Sequence, residues 1–262
     1  MKKKSAIIYL LLFIQMSNAQ FWKNKENLIG NAHIITQEIN IPKFNQISVS
    51  GMFDVKLFKS DSNIIKVTAD ENLMQAIDIF VKSKKLFIRT HPDFRIKKSK
   101  KLSIEVPVSY LSKITLTGSG SIICNEKLEG EHLELNLTGP GDINFNIDYI
   151  KAFVNLTGSG DVSLSVKTDQ LNVDLTGSGD VILSGETEDL DITLTGSGDI
   201  SAKKLKAKNV KVNIAGSGDV YVYPLKRLTG KILGSGDIIY YNDPDFFQIK
   251  ILGSGDVKNR SF

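Results

Sequence analysis

From about residue 111 onward, apolar and polar residues alternate over runs longer than an ordinary strand. Leu171, Val173, Leu175, Gly177, Gly179, Val181 and Leu183 share one parity. In an extended chain successive side chains point to opposite faces, so all seven point one way. Asn172, Asp174, Thr176, Ser178 and Asp180 take the other. The same register runs through Ala152, Val154, Leu156, Gly158, Gly160, Val162 and Leu164, and before that through Leu133 to Phe145. The pattern predicts an all-β chain with Leu, Val and Ile inward, Thr, Ser and Asp toward water, and glycines at inward corner positions.

Those glycines belong to a repeated phrase. LTGSGD stands at 156–161, 175–180 and 194–199, and returns as IAGSGD and twice as ILGSGD. Its aspartates, Asp142, Asp161, Asp180, Asp199, Asp219, Asp237 and Asp256, lie 19, 19, 19, 20, 18 and 19 residues apart. A unit this short cannot bury its own apolar face and must stack on copies of itself. At roughly 3.3 Å per residue its contour is about 60 Å, enough for one closed coil with neighbours about 4.8 Å away. The expected fold is a right-handed parallel β-helix of seven to eight turns. Gly158, Gly160, Gly177, Gly179, Gly196 and Gly198 are its structural corners, where the backbone passes too near the core for a side chain. An antiparallel meander or barrel also alternates, but gives no reason for inward glycines at every 19-residue step. Pro140 replaces the corner serine in one unit and fits only where that residue needs no N–H.

Residues 38–108 read differently, as a strand-rich capping region ahead of a β-helix spanning 109–262. Strands are predicted at 46–50, 53–59, 64–68, 78–82, 85–89 and 101–108, with turns at Ser60 to Asn63 and at Ser83 and Lys84. Asp70 and Glu71 open a single helical turn through Ile77. HPDFRIKKSKK, at 91–101, reads as a solvated basic loop, with contact to an anionic surface as the functional alternative. A cap is needed because a bare coil end exposes apolar core and unpaired ladder groups.

The segment ISVSGMFDVKLFKSDSNIIKVTADENLMQAIDIFV, followed by repeated LTGSGD, closely resembles the family named "putative auto-transporter adhesin, head GIN domain", over about residues 38–258. The resemblance implies a right-handed β-helix with a strand-rich N-terminal part and export from a bacterial cell of the Bacteroidetes. It carries no catalytic residues or ligand onto this chain.

The first residues, MKKKSAIIYLLLFIQMSNAQ, join three lysines to an apolar run and end on the small residues Ser17 and Ala19. This is a signal peptide over 1–19, with 20–37 as the mature N-terminal segment. The apolar run is too short to span a bilayer, so the mature chain is expected to have no transmembrane span. It should be exported to the periplasm, the outer membrane or the extracellular space. Cleavage removes three lysines and reduces the formal charge of +4 to +1, a balance that speaks against nucleic acid as partner. Cys124 is the sole cysteine, so no intrachain disulfide forms. Its parity points inward, where a thiol acts as a small hydrophobe.

The corner phrase carries little catalytic chemistry. GSGD lacks the Gly-Lys-Ser/Thr ending of a phosphate loop, and no helix follows it as a dinucleotide fingerprint requires. His33, His91 and His132 are scattered, and none has triad spacing to a corner serine. No catalytic residue, cofactor or metal is therefore assigned, although some β-helices cleave acidic polysaccharides on a coil face and an enzyme of that kind remains the alternative. The corner carboxylates form an outward acidic ladder whose neighbours, about 5 Å apart, repel by roughly 0.9 kcal/mol even at the dielectric constant of water. Hydrogen bonds to corner N–H groups offset this; calcium is the other reading, though one carboxylate per coil supplies few of its six to eight oxygens.

One candidate partner site breaks the pattern. DVYVYP and DIIYYN put Tyr221, Tyr223, Ile239 and Tyr241 at outward positions, where earlier coils carry asparagine, serine or lysine. A contiguous patch of this kind suits an envelope glycan, a protein or self-association. Phe246, Phe247 or the terminal KNRSF folding over it as a cap is the competing expectation. The whole chain thus reads as an exported non-catalytic scaffold or adhesin-like binding module at the cell envelope.

Overall fold

The computed structural model describes residues 25–260; the signal peptide expected at 1–19 lies outside them. Nine shorter strands come first: β1 (Glu26–Ile29), β2 (Ile34–Asn40), β3 (Gln46–Gly51), β4 (Asp54–Lys59), β5 (Ile64–Asp70), β6 (Ile77–Lys82), β7 (Lys85–Thr90), β8 (Phe94–Lys98) and β9 (Leu102–Val108). The coils follow as β10 (Lys113–Gly118), β11 (Ser121–Thr138), β12 (Asp142–Gly158), β13 (Asp161–Gly177), β14 (Val181–Gly196), β15 (Ile200–Gly216), β16 (Val220–Gly234), β17 (Ile238–Tyr240), β18 (Phe246–Gly253) and β19 (Val257–Asn259).

The molecule is a parallel β-solenoid of about eight turns. Each long strand pairs with the next in parallel along nearly its whole length: Leu156 opposes Leu175 and Leu175 opposes Leu194. Identical rows thus stack into one continuous core, with Leu171, Val173, Leu175 and Val181 buried. Cys124 is buried among them, and burial pushes its thiol pKa up.

The boundary expected at 108 and 109 does not separate coil from cap. Strand β3 lies parallel to β10, with Gly51 opposite Gly118, and β4 lies parallel to β11, with Asp54 opposite Ser121. The segment ISVSGMFD is therefore an additional corner, with Phe53 at the position of the second glycine. Beneath it, β7 pairs in parallel with β3 and β9 with β4, so a coil later in sequence lies below an earlier one. Sequence order and stacking order differ because β5 and β6 leave the coil path and return antiparallel, β5 on β9 and β6 on β7. Strand β2 then adds antiparallel to β5.

One local expectation is corrected and another is refined. Residues 91–101 are not all loop: β8 pairs in parallel with β1, because Ile96 is buried between exposed basic neighbours. The turn opened by Asp70 is a 3-10 turn, Glu71–Ala76, without a side-chain cap. The buried Asp70 carboxylate instead accepts the backbone N–H groups of Ala32 at 2.6 Å, Lys100 at 2.8 Å and Lys101 at 3.3 Å. It fastens three segments at the base of the solenoid. Burial pushes its pKa up, but these hydrogen bonds outweigh that and hold it below the ordinary carboxylate value.

Candidate functional site

The corner rows run the length of the solenoid. Asp161 accepts the backbone N–H of Asp180 at 3.0 Å, Asp180 that of Asp199 at 3.0 Å, and Asp199 that of Asp219 at 2.8 Å. Asp219 and Asp237 repeat the bond to the coils above, while Asp142 donates its own N–H to Gly120. The row begins before the repeats: Ser121 Oγ donates to Asp54 Oδ1 at 2.8 Å. The carboxylates of Asp161, Asp180, Asp199, Asp219 and Asp237 each hold a backbone N–H of the next coil, and so offer one oxygen fewer to a cation. Among the described residues no three His, Cys, Asp or Glu side chains stand together as metal ligands.

The corner glycines answer to a different crowding from the one the sequence suggests. A Cβ on Gly179 would overlap the carbonyl oxygen of Gly160, and one on Gly177 that of Gly158. The obstacle is the equivalent backbone one coil below, along the stacking axis, rather than the core. Gly177 also holds φ at +135°, a region closed to most side chains. Gly158, Gly160, Gly196 and Gly198 belong to the same two rows. The corner serine N–H is paired as well, Ser178 donating to Gly158 at 2.9 Å, so Pro140 gives up a bond that the other coils make.

The late coils bring Tyr221, Ile239 and Tyr241 together, with Asp219, Asp237, Lys258 and Arg260, around an open groove of about 540 Å³. Tyr223 is not part of it: a register shift in β15 sets it opposite Lys206. Ile239 is buried rather than displayed, because β19 stacks Lys258 over it. The Lys258 ammonium pairs with Asp237, which lowers the pKa of that carboxyl. Burial, followed by the nearby carboxylates of Asp219 and Asp199, pushes the Tyr221 hydroxyl up. Phe246 and Phe247 do not line the groove of Tyr221 and Tyr241; they pack on Arg227 and on Tyr240 respectively.

A second groove, of about 580 Å³, runs along the axis at the bend opposite the glycine corner. One wall stacks Asp148, Lys167, Glu186 and Lys206 in register, with alternating sign above Asp148. Its floor forms because Tyr149, Thr168, Thr187 and Ala207 occupy inward positions in one row, and the row narrows to small residues. Thr168 donates to Thr187 at 3.0 Å, and Tyr149 donates its hydroxyl to Leu111 O at 2.8 Å. Exposed Ile150 and Leu225 lie at its two ends. In the sequence the only sign of this groove is threonine and alanine at inward parity where other rows carry Leu, Val or Ile.

A stacked parallel solenoid with open surface grooves defines the class, a β-solenoid. The chain belongs to the family described as "Putative auto-transporter adhesin, head GIN domain", whose model matches residues 43–244. It is similar to a solved structure from Parabacteroides distasonis titled "Putative lipid binding protein", at 28% identity and TM-score 0.83, covering 89% of this chain and 99% of that one. It is likewise similar to a "putative adhesin" from Parabacteroides merdae, at 26% identity and TM-score 0.84, with 89% and 99% covered. A second "putative adhesin" from Parabacteroides distasonis, at 23% identity and TM-score 0.84 and covering 89% and 100%, shares the fold. Among curated proteins none matches this chain.

Proposed function

We propose that this chain is an exported, non-catalytic scaffold that binds a glycan or protein at the cell envelope, with the tyrosine groove as its contact. The observation that carries this reading is the local change of the outward row from Ser201 to Tyr221 and then Ile239, with Tyr241 beside it. A rigid aromatic ring with a hydroxyl gives apolar area and a hydrogen bond at little entropic cost. The neighbouring carboxylates and Lys258 add directional partners for sugar hydroxyls or backbone amides. The family name supports export and binding, and the leading MKKK with its apolar run supports secretion.

The test is retention of the mature chain on immobilised envelope polysaccharide and on outer-surface protein extract, compared with a Tyr221→Ser, Tyr241→Ser variant. Wild-type retention on one of the two, lost in a variant of unchanged melting temperature, is the expected result. Equal retention of both proteins removes the groove as the contact, and turnover of a soluble glycan by the wild type overturns the non-catalytic reading.

A further inference from the structure

The two ends of the solenoid are finished differently. At the N-terminal end Leu28, Leu73, Ala76 and Ile96 close over the core, and the outermost strands carry charges, Glu38 on β2 paired with Lys66 and Asp78 on β6 paired with Arg89. Charged, covered edges of this kind resist further strand pairing. At the C-terminal end β18 pairs with β16 and β19 with β17, and among the described residues nothing stacks on their outer side. Phe247 and Ile251 continue the rows of the fully buried Leu228 and Ile232, yet they are 48% and 41% exposed. The last coil therefore presents unpaired ladder groups and a slice of core, on a strand whose only charge is Lys250.

We infer that this end docks a second copy of the same end, tail to tail, as a closed dimer. The strand is complementary to itself under a two-fold axis normal to the sheet, which reverses β18 and sets it antiparallel to its copy. With Ile249 at the axis, Phe247 meets Ile251, Gln248 meets Lys250, and no like charges face each other. A shift of two residues one way sets Lys250 against Lys250, and the other way sets Asp245 against the apolar Ile251. A shift of one puts inward side chains opposite outward ones. Because the other end is covered, the same contact cannot propagate, and assembly stops at two. A face only one coil wide buries less than the roughly 800 Å² per partner of a standard interface, so dimerisation is weak and concentration-dependent. This goes beyond the proposed envelope contact, and it leaves the tyrosine groove on the side of the solenoid.

Sedimentation equilibrium of the mature chain over a hundredfold range of concentration tests this. The expected result is a monomer passing to a dimer with no larger species. Gln248→Lys, at an exposed position, sets like charges across the axis twice and is expected to weaken the dimer at least tenfold. Gln248→Glu sets opposite charges there and is expected to tighten it, in a salt-sensitive way. A mass that stays monomeric throughout, or that grows beyond two, overturns the inference. So does a dimer indifferent to both substitutions, and because both variants change one exposed side chain, an unchanged melting temperature separates lost pairing from lost fold. Dimerisation unaffected by the tyrosine substitutions, alongside failed retention on envelope material, would refute the groove and leave this contact standing.

Discussion

The carboxylate of Asp161 accepts the backbone N–H of Asp180 across 3.0 Å, from one coil to the next. A row of like charges thereby becomes a row of acceptors. From Asp161 to Asp237 each carboxylate engages a fixed amide dipole instead of facing its neighbour through water alone.

Asp180→Asn keeps the acceptor oxygen and removes a charge, so its melting temperature is expected to stay within about 2 °C of wild type. Asp180→Ala leaves the N–H of Asp199 without its partner at about 1 kcal/mol, or roughly 2–4 °C for a chain of this size. Equal melting of the two variants would show that the bond contributes nothing. Calorimetric titration with calcium is expected to reveal no sub-micromolar site; a tight site removed by Asp180→Asn would contradict the amide reading.

Gly179→Ala drives its methyl into the carbonyl oxygen of Gly160, and backbone cannot swing aside as a long side chain can. A loss of about 3 kcal/mol is expected for alanine, at the upper end of overpacking effects, and more for Gly179→Val. A thermal midpoint within two degrees of wild type for either would remove the stacking explanation.

Asp70 sets an acid limit on the base of the solenoid. Its folded pKa lies below the ordinary 3.8, so its contribution is complete above about pH 5 and is lost as pH falls through 3.8 toward the folded value. Asp70→Asn is expected to be less stable than wild type at pH 7 and to lose less between pH 5 and 3. Chemical denaturation at several pH values measures both; parallel curves would show that Asp70 is not the titrating group.

Tyr149 donates its hydroxyl to the Leu111 carbonyl inside the core. Tyr149→Phe strands that carbonyl and is expected to cost about 1–3 kcal/mol. Burial pushes the phenol pKa well above its ordinary value, so ultraviolet titration of the folded chain should find this tyrosine silent at a pH where it ionises in the unfolded chain. Ionisation of Tyr149 at the ordinary value in the folded chain would refute its burial.

The long alternation and the spacing of the corner aspartates were enough to read the solenoid, because both are local properties that hold at every unit. The position of Cys124 followed from parity alone. The tyrosine patch was legible only in part: Tyr221, Ile239 and Tyr241 come together, whereas Tyr223 is carried off by the extra residues Lys203 to Leu205, which shift the register of β15 against β16. The corner spacing marks the coil, at 20 residues from Asp199 to Asp219 and 18 from Asp219 to Asp237, but not where within it the register moves.

Stacking order at the base belonged to the tertiary structure. Asp54 and Ser121 are 67 residues apart yet joined by a hydrogen bond, because β5 to β9 form between two coils that lie next to each other. ISVSGMFD keeps the parity of the corner phrase but has Phe53 in place of glycine, and 67 residues is not a period. The bend groove is hidden for a similar reason: Tyr149, Thr168, Thr187 and Ala207 are unremarkable within their own units and make a floor only when stacked. What the sequence determined by itself is the coil, whose alternation and glycine corners act between near neighbours in the chain. Which coils touch, what closes one end and what the other leaves bare depend on hydrogen bonds and packing between residues far apart in sequence, and only the folded chain decides them.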